Sequence, residues 1–580
     1  MRVDIPMPSR FKIEDLFRDN CFVVPVYQRN YAWGKSEVGD FWEDLKDLVK
    51  GRRDSHFFGQ IVTYRDSSGV QEIIDGQQRL TTSVIFMAAV RDIANEMYEK
   101  NTQNSNGSVS LEVSDLLRDI RLQVEQALYR DDDQSPTLVV EPVADRDGNT
   151  ILQDFFDDLI SSNKKALTVK TTSKPIKDMQ TAYKDMTDWI RKMLKDETSI
   201  GEQIDLLRQI FLSFSRRFYL VMISAPSRRD AFTIFETLNS RGKDLAPSDI
   251  IKNHLMSTME NNIEESNEMW GELAEHLNND SKRITRFIRT YWASKERIVS
   301  TAKLYREVSD CITDVNSAKD LLMDLENLVQ LYVVLESPTT GDHRKYFADQ
   351  RITQRLDIFS RINVKLYYPI VIAMSYRNYK DNDILMVVNK LLSIFIRHRT
   401  IINDGTNTLE VGFSEIAKNI WNLNYQGVDR IIDGINSKML KTNEETKASF
   451  SVLRKDGGDK GRNKWVLAYI LSEIYNNRYE GFSEDELYGR VFDDDRYRVV
   501  QISNDNKLNE YSKNIGNWTI IEKSLVKSGF SDISEAERKL KTSELKANQQ
   551  LADVIREHGW GVAEINERQA VFANDAVNVW

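Results

Sequence analysis

The chain has 580 residues, too many for one hydrophobic core, so three or four domains of roughly 150 residues are expected. With 41% hydrophobic and 29% charged residues, wholesale disorder is excluded. The 79 Lys and Arg against 89 Asp and Glu leave a net charge of −10, which excludes a simple basic nucleic-acid coat and confines any nucleic-acid contact to local patches.

The longest apolar runs, such as Val84 to Val90, fall far short of the roughly 20 residues of a bilayer span. The start MRVDIPMPSR lacks the apolar centre of a signal peptide, so a soluble, cytoplasmic protein with no membrane partner is expected. Cys21 and Cys311 cannot build a disulfide framework, in keeping with a reducing compartment. The six histidines form no HxxxH or HExxH pair.

In chain order, the first hundred residues alternate short β-type runs with helical ones, and the rest reads as mostly helical. Strands are predicted at Phe22 to Val24, Phe57 to Tyr64 and Val70 to Ile74, the last two joined as a hairpin through Asp66-Ser67-Ser68-Gly69. A helix follows at once, with Ile85, Ala89, Ile93 and Met97 on one face, and is expected to end in the polar stretch Asn101 to Ser110. Further breaks fall at Arg130 to Pro136, Ser337 to Arg344 and Lys455 to Asn463, where the glycine and charge of LRKDGGDKGRN suggest a domain boundary. No fixed-period repeat points to a solenoid.

Three segments carry chemistry. In Ile73-Ile74-Asp75-Gly76-Gln77-Gln78-Arg79, a strand runs through a glycine into a helix whose first N–H groups lack intrahelical partners and can receive a phosphate. Arg79 adds a forked donor, Asp75 can hold hydrated magnesium or act as a base, Gln77 and Gln78 can orient water, and Gly76 allows close approach. The alternative is a capped helix with Asp75 as N-cap and Arg79 in a surface ion pair. In Val24-Pro25-Val26-Tyr27-Gln28-Arg29-Asn30-Tyr31-Ala32-Trp33, the aromatics either stack on a base with Arg29 on a phosphate, or are core. In the third, Phe232, Phe235 and Leu238 mark a helix ending at Asn239, with Gly242 beyond it. Asn239 and Arg241 project from its end, either toward the phosphate site or as caps.

These segments, PVYQRNYAW at Pro25 to Trp33, DGQQR at Asp75 to Arg79 and FETLNSRGKDLAPSDIIK at Phe235 to Lys252, closely resemble the N-terminal module of GmrSD-type, modification-dependent (type IV) restriction systems. The resemblance implies a ParB- and sulfiredoxin-like fold, binding and hydrolysis of a nucleoside triphosphate (GTP or ATP) with Mg2+ around DGQQR, and restriction of modified foreign DNA. On it, Asp75, Gln77, Gln78 and Arg79 are candidate catalytic residues, with Asp75 as metal ligand. Tyr27, Gln28, Arg29, Gly76, Asn239 and Arg241 are candidate cofactor-binding residues.

The tail, with Asn514-Ile515-Gly516-Asn517-Trp518, Trp560, Ile565, Arg568 and Trp580, is similar to the family's C-terminal HNH-type nuclease module. Working members carry a histidine base upstream of the Gly-Asn pair; here the nearest equivalent is Gln501, whose amide cannot accept a proton at neutral pH. The resemblance therefore implies a nucleotide-hydrolysing, DNA-sensing subunit whose cutting is supplied by a partner with an intact nuclease module or by self-association. Alternatives are a self-sufficient nuclease cutting through the ParB-like module, or a non-hydrolysing nucleotide-switched regulator.

For DNA contact, Arg283, Arg286 and Arg289 flank an apolar helical stripe, with Arg397-His398-Arg399 and Arg538-Lys539-Lys541 as weaker candidates. The expected architecture is α/β plus mainly α: a ParB/sulfiredoxin-like domain with a helical insertion over 1–260, a helical domain over 261–455, and a degenerate, α+β HNH-like module over 456–580.

Overall fold

The computed structural model describes residues 7–25, 28, 31–65, 69–104, 111–130, 135–140, 151–161, 170–171, 173–239, 246–259, 262–340, 342–456, 461–493 and 496–580. The chain divides into two compact units, one of residues 1–268 with 312–318 and one of residues 269–311 with 319–580.

The first unit is built on a mixed six-stranded sheet. Its strands are β1 (Ser9–Lys12), β2 (Phe22–Val24), β3 (His56–Arg65), β4 (Gln71–Asp75), β5 (Leu138–Val140) and β6 (Phe218–Ala225), in the order β1-β6-β3-β4-β2-β5. β1 pairs with β6, and β3 with β4, antiparallel; β3–β6, β2–β4 and β2–β5 are parallel. The predicted β2, β3 and β4 are therefore present, whereas β6 lies in a stretch expected to be helical.

The helices of this unit are α1 (Ile13–Asp19), α2 (Lys35–Val49), α3 (Gln77–Asn104), α4 (Leu111–Leu128), α5 (Ile151–Ile160), α6 (Lys174–Lys195), α7 (Ile200–Arg217), α8 (Arg228–Asn239) and α9 (Pro247–Thr258). Side chains of a strand alternate between faces. Ile61, Ile73, Phe218 and Leu220 thus share one core with α2, α3, α6 and α7. On the other face α8 packs over β3, β4 and β6. Within the first core Phe41, Phe58, Phe86, Phe214 and Phe218 meet at centroid separations of 4.8–5.6 Å, mostly edge-on or tilted, the preferred geometry of aromatic pairs.

Local signals explain where the helices begin and what holds their ends. α7 opens on a capping box: Ser199 Oγ accepts the Glu202 N–H at 3.2 Å and Glu202 Oε2 accepts the Ser199 N–H at 2.9 Å. Buried Arg91 of α3 donates to the terminal carbonyls of α5, Ile160 and Leu159, while its Nε and the Tyr183 hydroxyl both reach Asp92. The Arg217 guanidinium ends α7 by gathering three carbonyls, Leu48 at 2.8 Å, Asp54 at 2.9 Å and Arg53, and so orders the connection from α2 into β3.

The second unit is mainly helical. The helix Ser281–Lys295 is capped by Asp280, whose Oδ1 accepts the N–H groups of Lys282 and Arg283 at 2.8 and 3.1 Å. Its strands β7 (Tyr497–Gln501) and β8 (Trp518–Glu522) form an antiparallel pair across the excursion 502–517. A continuous chain of buried polar contacts knits β8 to the helices around it: Arg568 donates to the Gly516 and Trp518 carbonyls and to the Tyr475 hydroxyl, which meets Thr519, which donates to Asn548 at 2.6 Å. Asn548 donates to Ser543, and Ser543 to Glu522. Such a network stabilises when every member is satisfied. Among the described residues, no helix is long and apolar enough to cross a membrane.

Candidate functional site

Strand β4 ends at Asp75, and Gly76 turns the chain into α3 with φ +99°, a conformation that side-chain-bearing residues rarely adopt. Close packing adds a second demand, because a Cβ on Gly76 would lie 2.3 Å from Ile61 Cγ2 of β3. The Asp75 Oδ1 accepts the Gly76 N–H at 2.8 Å, and Leu80 N–H closes the first helical turn on the Gly76 carbonyl at 3.2 Å. The carboxylate therefore sits at the positive end of α3, where the first-turn N–H groups have no intrahelical acceptor.

Arg79 leaves that turn and lies across β3. Its guanidinium donates to the Gln60 carbonyl at 3.3 Å and passes over Gly59, where a Cβ would come within 2.8 Å of its Nε. Gly59 has φ +119° beside an irregularity in the β3–β6 register, so an isolated glycine inside a strand makes room for the arginine. That glycine is the sequence signal for this arrangement, and it lies outside the three motif segments.

The segment after β2 is tied to the same turn. Gln28 Nε2 donates to the Ile74 carbonyl at 2.9 Å, Ala32 N–H to Gln78 Oε1 at 2.8 Å, and Tyr31 and Thr82 share a hydroxyl–hydroxyl bond of 2.9 Å. Thus Gln28 and Asp75 to Arg79 are brought together. Gln77 and Gln78 are buried, and the Gln78 carbonyl is committed to Ala32. Tyr31 is buried and Trp33 meets Phe58 edge-on, so these two aromatics are core. Burial pushes the Tyr31 phenol well above its ordinary pKa. Tyr27, Arg29 and Arg241 lie outside the described residues; Asn239 ends α8, and its side chain is not among those described.

On the α8 face, Glu72 of β4 accepts two bonds from Arg228, and Arg228 also lies over the Tyr64 ring at 5.8 Å. On the core face, Gln71 Oε1 accepts from Thr63 at 2.8 Å and Ser224 at 3.1 Å, linking β3, β4 and β6 beneath the junction. Lys252 of α9 is held down to about pKa 8 by burial, with Asp249 one turn earlier opposing the shift. The Arg228–Glu72 and Ser224–Gln71 contacts have no local sequence signature, since their partners lie 156 and 153 residues apart.

Among the described residues no group of three or more His, Cys, Asp and Glu is arranged to hold a metal. A single carboxylate beside helix N–H groups fits Mg2+ carried largely by phosphate oxygens and water, the usual mode for that ion, and not a dedicated protein cage.

In the second unit the expected DNA helix is partly spent. Arg283 pairs with Glu336 at 2.7 Å, and Arg289 with Glu410 at 2.8 Å and the Val299 carbonyl at 2.6 Å; Arg286 is exposed. Gln501 donates to the Ser512 carbonyl at 2.9 Å. Asn517 donates to the Ser503 and Ser512 carbonyls and accepts from the Trp560 indole at 3.0 Å, so both residues pin the 502–517 excursion.

Taken together, the first unit is an α/β domain with a strand–glycine–helix junction and an arginine laid across the neighbouring strand. Residues 13–256 match the family model of the GmrSD restriction endonuclease, N-terminal domain. The match covers strands β2 to β6 and the junction, and it supports a GmrSD-type restriction protein. No curated protein matches the chain.

Proposed function

We propose that the first unit binds a nucleoside triphosphate, GTP or ATP, at the β4–α3 junction and hydrolyses it, and that turnover serves restriction of modified DNA. Residues 1–260 are read as the ParB-like nucleotide domain, 261–455 as a helical domain and 456–580 as a degenerate HNH-like module. The carrying observation is the hand-over from Asp75 through Gly76 to the first turn of α3, with Arg79 held over Gly59. Helix N–H groups there receive phosphate oxygens, and the Arg79 fork adds charge. Asp75 orients the attacking water or its proton, helped by the neighbouring Gln77 amide. Mg2+, when bound, neutralises phosphate charge, with Asp75 as its protein ligand. Gln28 and Gln78 are positioning residues that fix the segment after β2 against the turn.

DNA cleavage is assigned to a partner with an intact HNH module, or to another copy of this fold, because Gln501 cannot act as a base and is tied to Ser512. The test is phosphate release by the purified chain with each triphosphate, Mg2+ and modified DNA, alongside plasmid nicking. Asp75→Asn and Arg79→Ala are expected to lower turnover at least 100-fold, with no nicking by any of the proteins. Background turnover by the unaltered chain overturns the hydrolytic reading, and nicking that Asp75→Asn abolishes would make the first unit the nuclease.

A further inference from the structure

Within the second unit a cavity of about 260 Å3 lies among three helical elements. One is the helix Arg462–Tyr475, which runs on through the π-helical turn Asn476–Glu480; the others are the helices Lys546–His558 and Val562–Val579. The π turn brings Arg478 and Tyr479 to the cavity, and the link between the last two helices brings Trp560. Such turns are rare and recur at functional sites.

The walls are tied together. Ala547 N–H donates to Glu480 Oε1 at 2.9 Å, Arg478 pairs with Asp575 at 3.2 Å, and the Trp560 indole N–H donates to Asn517 at 3.0 Å. Arg568 donates to the Gly516 and Trp518 carbonyls at 2.7 and 2.9 Å. A ligand would therefore enter a site already shaped, with little ordering left to oppose binding.

These bonds engage both guanidiniums and leave three polar groups idle. Gln550, His558 and Glu567 line the cavity, are exposed, and have no hydrogen bond or ion pair among the described residues. The faces of the Trp560 indole likewise carry no aromatic or cationic neighbour among them. Leu551 and Val571 add apolar wall.

Charge decides what kind of molecule fits. Arg478 and Arg568 are balanced across the cavity by Glu564, which accepts the Gly561 N–H at 2.9 Å, and by Glu567. A free anion would be opposed by the unpaired Glu567, and a cation by the two guanidiniums. A neutral ring avoids both costs and the larger cost of taking an ion out of water. Its face can stack on Trp560, while its edge donates to Glu567 and meets the Gln550 amide. The volume is below the roughly 300–1,000 Å3 of a site for a drug-sized ligand, and so suits one or two fused rings.

We propose that this cavity binds a neutral, planar heteroaromatic ring with donors and acceptors on its edge, the chemistry of a nucleobase, stacked on Trp560 and held by Glu567. The ring belongs either to a free nucleoside or to a base presented by a single strand. The inference stands on the cavity and is independent of triphosphate turnover at the β4–α3 junction.

The test is isothermal titration calorimetry of the full chain with adenosine, guanosine, cytidine and thymidine, and separately with a mixed-sequence single-stranded oligonucleotide. At least one probe is expected to bind. Glu567→Ala removes an exposed carboxylate with no partner in the fold and should weaken that binding about 10- to 100-fold, the worth of a hydrogen bond to a charged group. Val571→Trp fills the cavity and should abolish it. Thermal midpoints close to the parent's show that the variants are folded; should Val571→Trp fail to fold, Glu567→Ala decides alone. Nucleoside binding that is lost in the variants identifies a free ligand, and strand binding lost in them without nucleoside binding identifies a presented base. No heat from any probe overturns the proposal, and so does binding that a folded Glu567→Ala or Val571→Trp leaves unchanged. Triphosphate turnover, measured on the same proteins, should be unaltered and reports separately on the first unit.

Discussion

The backbone N–H of Ala32 donates to the side-chain oxygen of Gln78 at 2.8 Å, across 46 residues of sequence. The second glutamine of the DGQQR run is thereby a strut between the segment after β2 and the first turn of α3. Gln78→Ala is expected to cost about 1 kcal/mol in denaturant unfolding, the net worth of one such bond. If triphosphate turnover is then measured, KM should rise more than kcat falls, because the change loosens positioning and leaves Asp75 and Arg79 in place.

The two junction glycines should respond differently to alanine. At Gly76 the positive φ adds to a 2.3 Å clash with Ile61, and a loss of about 2–5 kcal/mol is expected from the two effects together. At Gly59 the obstructed group is the Arg79 guanidinium, which can swing away. Gly59→Ala should therefore cost less stability, about 1–3 kcal/mol, yet displace Arg79 and depress turnover. Paired thermal melts and phosphate-release assays distinguish the two outcomes, and equal activity loss at equal stability loss would contradict the assigned role of Arg79.

Lys252 makes a pH signature. Its folded pKa of about 8 lies below the ordinary lysine value near 10.4, so between these values the unfolded chain binds more protons than the folded one. This residue's contribution to stability must rise with pH from about 8 to about 10.4. Below pH 8 the lysine is charged in both states, and the full penalty is present. Lys252→Met should remove the rise and stabilise the protein at pH 7 by about 1–2 kcal/mol, read from urea unfolding at pH 7 and pH 9.5.

On the proposed reading of residues 456–580 as a degenerate HNH-like module, placing a histidine at position 501 should not restore cutting. Gln501 and Asn517 are engaged with carbonyls of the 502–517 excursion, and Asn517 also holds the Trp560 indole. Gln501→His is expected to show no Mg2+-dependent plasmid nicking and to lose about 1 kcal/mol of stability with the Ser512 bond. Nicking by that variant would reveal a nuclease module only one residue from competence.

What the sequence revealed followed physical scale. β2, β3, β4 and the start of α3 were legible because short Val, Ile and Phe runs are punctuated by turn residues and a glycine. The end of α3 was legible too: the helix runs to Asn104, inside the polar stretch Asn101 to Ser110. β6, Phe-Tyr-Leu-Val-Met-Ile-Ser-Ala, was hidden because it is flanked by helices and pairs with β1 and β3, both far away in sequence. A strand covered on both faces also shows little polar alternation. The junction itself was visible as a motif, but Gly59 under Arg79 needed the fold. Likewise the Arg283 and Arg289 stripe read as free charge because Glu336 and Glu410 arrive from 53 and 121 residues away.

Arg217 has a kinetic corollary. A link between a helix and a strand ordinarily exchanges its amide protons by local fluctuation, but the carbonyls of Leu48, Arg53 and Asp54 all converge on one guanidinium at the end of α7. That link can open only when α7 lets go of it, so its deuterium uptake should track the slow opening of the sheet's flank, and Arg217→Ala should convert it into a fast-exchanging segment that frays into the first residues of β3.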